Sequence, residues 1–174
     1  LLMTNFLYYL GLIGFFMTSV ASAKPSLIED HRARFNHYAQ GTLVVMHDER
    51  ALYLVLGANR AIRYPVAVPK SGAEWRGEAY IAQKQLQPAW QPPAVVRKDN
   101  PSLPQVIPGG APNNPLGAAV FILDRDQLGI HGTSDKLRKT IGTSASYGCI
   151  RMLNEDILDL WKRVNVGTRI VMIR

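Results

Sequence analysis

Past residue 40, apolar positions come in short bursts divided by turn residues, the pattern of a β-rich chain. Thr42 to Met46 and Leu52 to Leu56 are rich in β-branched and large apolar side chains, and His47-Asp48-Glu49-Arg50 between them predicts a hairpin turn. Ile62 to Val68 and Glu78 to Gln83 predict two further strands, with Pro69-Lys70-Ser71-Gly72 as punctuation. Ala118 to Leu123 reads as a buried strand, Leu128 to His131 as a short second one, and Thr168 to Ile173 as the last. A helical period appears once, over Asn154 to Val164. Ile157, Leu160, Trp161 and Val164 form its apolar face, Asn154 is its predicted N-cap, Glu155 and Asp156 suit its start, and Lys162 and Arg163 its end. A helical turn is expected at Asp135 to Lys139 and another around Glu29 to His37, within a polar lead-in. The total, about seven strands and one or two helices without repeats or heptads, predicts a mainly β sandwich or barrel.

Residues 84 to 117 break this rhythm. Most of the chain's prolines fall there, together with Gly109, Gly110 and Gly117. So long a loop in a compact domain is functional or disordered. Trp90 and the run Gly109 to Gly117 favour an ordered loop packed on the core.

Residues 1 to 23 are different again. They hold no charged side chain, carry the apolar run Phe6 to Met17, and end in Ala21-Ser22-Ala23. This fits a secretory signal peptide cleaved before Lys24, with an uncleaved membrane anchor as the alternative. The expected organisation is therefore a signal peptide at 1–23, a lead-in at 24–40 and one domain at 41–174. The 174 residues carry a formal net charge of +7, all of it beyond residue 23. A basic surface attracts polyanions such as cell-wall polymer or anionic membrane. Nucleic acid is not expected, because no Lys/Arg-rich run occurs and aromatic residues do not interleave with basic ones.

Export gives the single cysteine, Cys149, added meaning, since a lone thiol in an oxidising compartment has no partner within the chain. It lies in Ser146-Tyr147-Gly148-Cys149-Ile150-Arg151, downstream of Gly129-Ile130-His131-Gly132-Thr133. A thiol, an imidazole suited to take its proton and a glycine-rich turn are the parts of a cysteine acyl-transfer site. Gly148 lets the backbone turn tightly, and the amides of Gly148 and Cys149 are candidate oxyanion donors. On these residues alone the ordinary reading stays open: free cysteines are commonly small buried hydrophobes, and a strand-end histidine is commonly structural. Arg151 also has two readings, a holder of a substrate carboxylate or a partner of a neighbouring loop or of Asp156. Metal binding is not expected, because one Cys and one His do not close a site and neither H-E-x-x-H nor C-x-x-C occurs.

His131, fourteen residues, then Ser146-x-Gly148-Cys149 resembles the signature of the YkuD-type L,D-transpeptidases, also called the ErfK/YbiS/YcfS/YnhG family. Tyr64-Pro65-Val66, Pro88-Ala89-Trp90, Gly109-Gly110 through Gly117, Ile150-Arg151-Met152 with Asn154-Glu155-Asp156, and Val166-Gly167-Thr168 match further blocks in order. The resemblance runs from Thr42 to Arg174. It implies the family's β-sandwich domain of mixed sheets with a long Pro/Gly-rich loop, and exported chemistry on peptidoglycan in the periplasm or wall. The carbonyl of the third stem-peptide residue would be attacked, D-alanine would leave, and a thioester would form. The acyl group would pass to another stem peptide in a 3→3 cross-link, to the amine of an outer-membrane or wall-linked protein, or to a free D-amino acid. By the same resemblance Cys149 is the nucleophile and His131 the base, with no cofactor. Ser146, Tyr147, Gly148, Gly132, Thr133 and Arg151 make the oxyanion site and pocket, Trp90 and Asn114 line the substrate groove, and the chain is a monomer. Many relatives have histidine where this chain has Tyr147, which leaves His131 as the sole candidate base and gives Tyr147 a packing or hydrogen-bonding role. His31, His37 and His47 are expected at the surface. Two rivals use the same residues differently: a hydrolase that passes the acyl group to water, and a non-catalytic wall-binding domain.

Overall fold

The computed structural model describes residues 24–29 and 34–174. The signal-peptide reading of residues 1–23 and the placement of His31 therefore lie outside the described residues.

Nine strands form one sheet, in the order β1 (Ser26–Glu29), β4 (Arg60–Pro65), β3 (Ala51–Gly57), β2 (Leu43–Met46), β11 (Arg169–Ile173), β6 (Gly77–Leu86), β7 (Ala119–Leu123), β8 (Gly129–His131) and β10 (Ile150–Arg151). A separate parallel pair joins β5 (Val68–Pro69) to β9 (Ser144–Ser146). The long strand β6 belongs to both halves of the sheet: Gly77 to Tyr80 pair with β11, and Ile81 to Leu86 pair with β7. The register shifts between Ile81 and Gln83. An extra residue in one strand bends it and increases its twist, so the sheet folds over there and its halves enclose one core. Leu43, Val45, Leu52 and Leu54 from one half meet Phe121, Ile130 and Ile150 from the other in that core. This is the mainly β architecture that the apolar bursts predicted.

The strand β2 has all four residues buried because it is covered on both faces. Leu43 and Val45 enter the main core, while Val44 and Met46 join Phe35, Tyr53 and Val55 in a second cluster. Phe35 comes from the lead-in, which contributes a β-strand and a core residue; residues 30–33 of the helical turn expected there lie outside the described residues. Ser26 to Glu29 pair with β4, and residues 34–37 form a hydrogen-bonded turn in which Tyr38 N–H donates to the Phe35 carbonyl at 3.1 Å. A four-residue strand with one half-buried side chain leaves too weak a pattern to read.

The C-terminal helix α2 spans Asn154–Trp161, shorter than its apolar periodicity. It stops because Lys84, from β6, sends its ammonium to the carbonyls of Trp161 (2.8 Å) and Val164 (2.7 Å) while lying over the Trp161 ring. A cation on free carbonyls at a helix C-terminus is a stabilising cap. The N-cap is Leu153, not Asn154. A short second helix, α1 (Ala94–Asp99), interrupts the Pro-rich loop, so the expectation of a single helix in the C-terminal region is incomplete. The turn expected at 135–139 is a 3-10 helix over Asp135–Thr140. His37 is exposed as expected, whereas His47 is half-buried with Nε2 at 2.9 Å from the Pro69 carbonyl.

Candidate active site

Strand alternation builds one wall of the site. β10 lies parallel to β8 with Ile150 opposite Ile130 and Arg151 opposite His131. Side chains two apart share a face of a sheet, and neighbouring strands lie about 4.8 Å apart. The fully buried Ile130 and Ile150 point into the core, which turns His131, Cys149 and Arg151 to the other face. There they line a single cleft of about 380 Å³. Trp90, Pro93, Val95, Val96, Pro115 and Leu116 from the Pro-rich loop form its opposite, mostly apolar wall.

The turn before Cys149 needs its glycine. Gly148 has φ of +133°, which L side chains rarely adopt, and an added Cβ would stand 2.9 Å from Leu128 Cδ2. Ser146 holds the turn by donating its hydroxyl to the Cys149 carbonyl and accepting the Gly148 N–H at 3.3 Å. Trp75 Nε1 donates to the Gly148 carbonyl at 3.0 Å. The thiol points at the Gln127 carbonyl, 3.6 Å away.

His131 is buried, and its Nδ1 lies 2.7 Å from the Gly132 carbonyl. A carbonyl can only accept, so the Gly132 bond favours the neutral tautomer protonated on Nδ1, in which Nε2 is the basic nitrogen. Desolvation by burial, then the charge of Arg151, pushes the His131 pKa down to about 4, against the pull of the Gly132 and Pro115 carbonyls. Burial also raises the Cys149 pKa, opposed by the Gly129 backbone and by Arg151. The resting pair is thus thiol and neutral imidazole.

Arg151 meets a neighbouring segment and not Asp156. It forms no ion pair with Asp156; its Nη1 donates to Thr140 Oγ1 at 2.7 Å, at the end of the 3-10 helix. Asp156 is buried in α2 with both carboxylate oxygens unpartnered, and burial, then the charges of Glu155 and Asp159, pushes its pKa up to about 7.

Besides Gly148, which shapes the turn, three expected pocket residues lie off the cleft. Gly132 supplies the carbonyl that orients His131, and a Cβ on it would fall 2.3 Å from Asn154 Oδ1. Thr133 faces a separate polar cavity of about 240 Å³. Asn114 is also buried away from the cleft. Its amide donates to the carbonyls of Pro88 (2.8 Å) and Pro108 (3.0 Å), and its oxygen accepts the Leu116 N–H at 2.9 Å. It pins the loop instead of touching a groove.

Sequence reasoning missed the role of Asn154 and the partners of Tyr147, Asp99 and Lys70. Asn154 Oδ1 accepts the N–H groups of Ala118 (2.9 Å) and Thr133 (3.0 Å), tying the start of α2 to the strand end that carries His131. An asparagine before a helical pattern signals a cap, so this long-range role was hidden. Tyr147 donates its hydroxyl to Asp99 at the end of α1, while Lys70 stacks its ammonium 3.7 Å from the Tyr147 ring and lies 3.9 Å from Asp99. The residue that stands in place of the relatives' histidine therefore clasps the loop wall to the cysteine turn.

The YkuD family model, described as the L,D-transpeptidase catalytic domain, matches residues 40–172. The chain belongs to this family. YbiS of Escherichia coli K12, named a probable L,D-transpeptidase, is 32% identical over 142 residues, covering 77% of this chain and 44% of YbiS. A Fuscovulum blasticum reading frame from the ATP synthase region, given the L,D-transpeptidase name, is 32% identical over 151 residues, covering 86% of this chain and 70% of its own length. The chain thus spans less than half the length of YbiS. Solved structures carry the same fold at low identity. An L,D-transpeptidase from Mycobacterium smegmatis superposes with TM-score 0.58 at 16% identity, covering 78% of this chain and 59% of its own. The catalytic domain of the E. faecium L,D-transpeptidase gives 0.59 at 17%, covering 79% and 99%. Within this family's domain, the strand-borne wall and the Pro-rich wall described above meet at Cys149.

Proposed function

We propose that this domain is a peptidoglycan L,D-transpeptidase with Cys149 as nucleophile and His131 as base. One observation supports it above others: strand pairing sets Arg151 opposite His131, and Cys149, in the turn that leads into that strand, lines the same cleft as His131. The donor is a stem tetrapeptide. As the sulfur attacks the carbonyl of the third residue, the thiol proton passes to His131 Nε2. The Nδ1–H bond to Gly132 holds the ring in the tautomer that this transfer requires. The Gly148 N–H is already given to Ser146, so the Cys149 amide is the oxyanion donor we assign. The C–N bond breaks, the imidazolium returns its proton to the departing D-alanine amine, and a thioester remains. An amine from a second stem peptide, or from a protein, then takes the acyl group and frees the thiol.

The leader at 1–23 would export the domain to the periplasm or wall, with cleavage between Ala23 and Lys24. The E. faecium catalytic domain has been solved acylated by ertapenem, and the same carbapenem adduct is expected on Cys149. The test is mass spectrometry of the domain after incubation with tetrapeptide or ertapenem. A covalent adduct is expected in the native protein and none in Cys149→Ala; an adduct that survives the substitution would move the nucleophile elsewhere. Water as acceptor would give a carboxypeptidase with the same residues, and products formed with and without an amine separate the two.

A further inference from the structure

We propose that Arg151 is the subsite for the carboxylate of the residue that leaves the acyl donor, so that the cleft measures one residue past the scissile bond. This rests on the acyl-transfer reading above.

Arg151 carries a charge that the fold leaves without a counter-ion. It takes part in no ion pair among the described residues, its Nε is buried with no partner, and its one hydrogen bond goes to the neutral hydroxyl of Thr140. Asp126, a carboxylate on the cleft wall, makes no ion pair with it. Removing an unpaired guanidinium from water is costly. A planar anion entering the cleft would offset that cost, and a carboxylate matches the guanidinium fork.

Position then selects which carboxylate. Cys149 and Arg151 line the same cleft two residues apart, a separation of at most about 7 Å along the backbone. With a carbonyl at Cys149 Sγ, a terminal carboxylate on the next residue lies about 3–4 Å further along the chain. The Arg151 side chain bridges the remaining distance. One additional residue moves the carboxylate about 3.5 Å onward and leaves a neutral amide beside the charge. A donor ending one residue after the scissile bond is therefore accepted, and a longer or capped one is disfavoured.

Three donors test this: the tetrapeptide acid, its C-terminal carboxamide, and the acid extended by one D-alanine. The native protein should form acyl-enzyme from the tetrapeptide acid roughly 10–100-fold faster than from the carboxamide, the loss of one charge-assisted pair. In Arg151→Gln that ratio should collapse toward one, and Arg151→Lys should retain part of it. The Cys149→Ala protein, titrated calorimetrically, should bind the acid more tightly than the carboxamide. Equal rates for acid and carboxamide in the native protein would overturn the proposal. So would a ratio that survives in Arg151→Gln while both rates fall together, which would place the charge on the thiol or the oxyanion. If no donor acylates the native protein, the acyl-transfer reading fails, and the calorimetric comparison still decides whether Arg151 reads the carboxylate. That comparison also stands if Arg151→Gln does not fold.

Discussion

One wall of the cleft is carried by paired strands and the other by a loop, and the two hold their side chains by different means. On the strand side, His131 and Arg151 are placed by backbone pairing, with Ile130 and Ile150 fixed in the core behind them, and Cys149 by the turn that Ser146 and Trp75 hold. On the loop side, Trp90 to Leu116 has little regular pairing. Two backbone bonds between Trp90 and Ile107, both 2.8 Å, the buried Asn114 amide and the Tyr147–Asp99 bond hold it in place. Chemistry sits on the rigid side, and shape is supplied by the side whose few contacts can be undone singly. Local stability follows the density of buried contacts, so the loop wall should open at lower free energy than the strand wall.

The largest break in this comparison should come from His131→Ala. Acylation by tetrapeptide should fall by roughly 10²–10⁴-fold, the typical contribution of a positioned base, with the loop wall untouched. In the native protein the acid limb of the acylation rate should have its midpoint near the depressed pKa of about 4. Below that pH the ring is protonated and cannot take the thiol proton, so the rate falls as pH falls. A midpoint near 6.5 would mean that burial does not depress the ring, and near-normal acylation by the variant would remove His131 from the base role.

Gly148→Ala should come next. It forces a side chain into φ of +133° and against Leu128, at a cost of about 1–3 kcal/mol. Thermal melting should show the loss, and acylation should drop because the Cys149 turn moves. An unchanged melt would mean that the turn relaxes freely and that the strand wall is less rigid than described.

The two sides also differed in how far the sequence revealed them. The short strand that ends at His131 is a local signal, and the turn glycine and the resemblance of motifs pointed to Cys149 and Arg151. The loop side depends on contacts between residues far apart in sequence, such as Asn114 with Pro88 and Tyr147 with Asp99. No local period encodes these, and a buried asparagine that donates to carbonyls reads the same as one in a groove. Asn154 shows the limit most clearly, since its identity suggested a cap and its side chain instead binds Ala118 and Thr133. The missed strands, β1, β5, β9 and β10, are all four residues or fewer, too short for alternation to register.

A smaller effect should follow from Asn114→Ala. Buried carbonyls of Pro88 and Pro108 would lose their donor, costing about 1–3 kcal/mol. Hydrogen exchange should speed up across residues 88–116 and stay slow in β7 and β8. Equal acceleration in both would show that the walls unfold together.

Tyr147→Phe should be the mildest, removing one exposed hydrogen bond worth about 0.5–1.5 kcal/mol while keeping the ring beneath Lys70. Exchange should rise in α1 alone, and substrate affinity should change more than the acylation step. Unaltered exchange in α1 would mean that the Lys70 contact holds the wall without the hydroxyl.

The position of β11 has a consequence for how the chain is made. It is the last strand in sequence, yet it lies in the interior of the sheet, parallel to β2 on one side and antiparallel to β6 on the other. Until residues 169–173 have been synthesised, β2 and β6 each lack a neighbour and the two halves of the sheet are not joined through it. A nascent chain cannot complete this sheet before residues 169–173 emerge, and long-range pairing of that sort forms slowly. Until then the domain stays open along its middle and pliable.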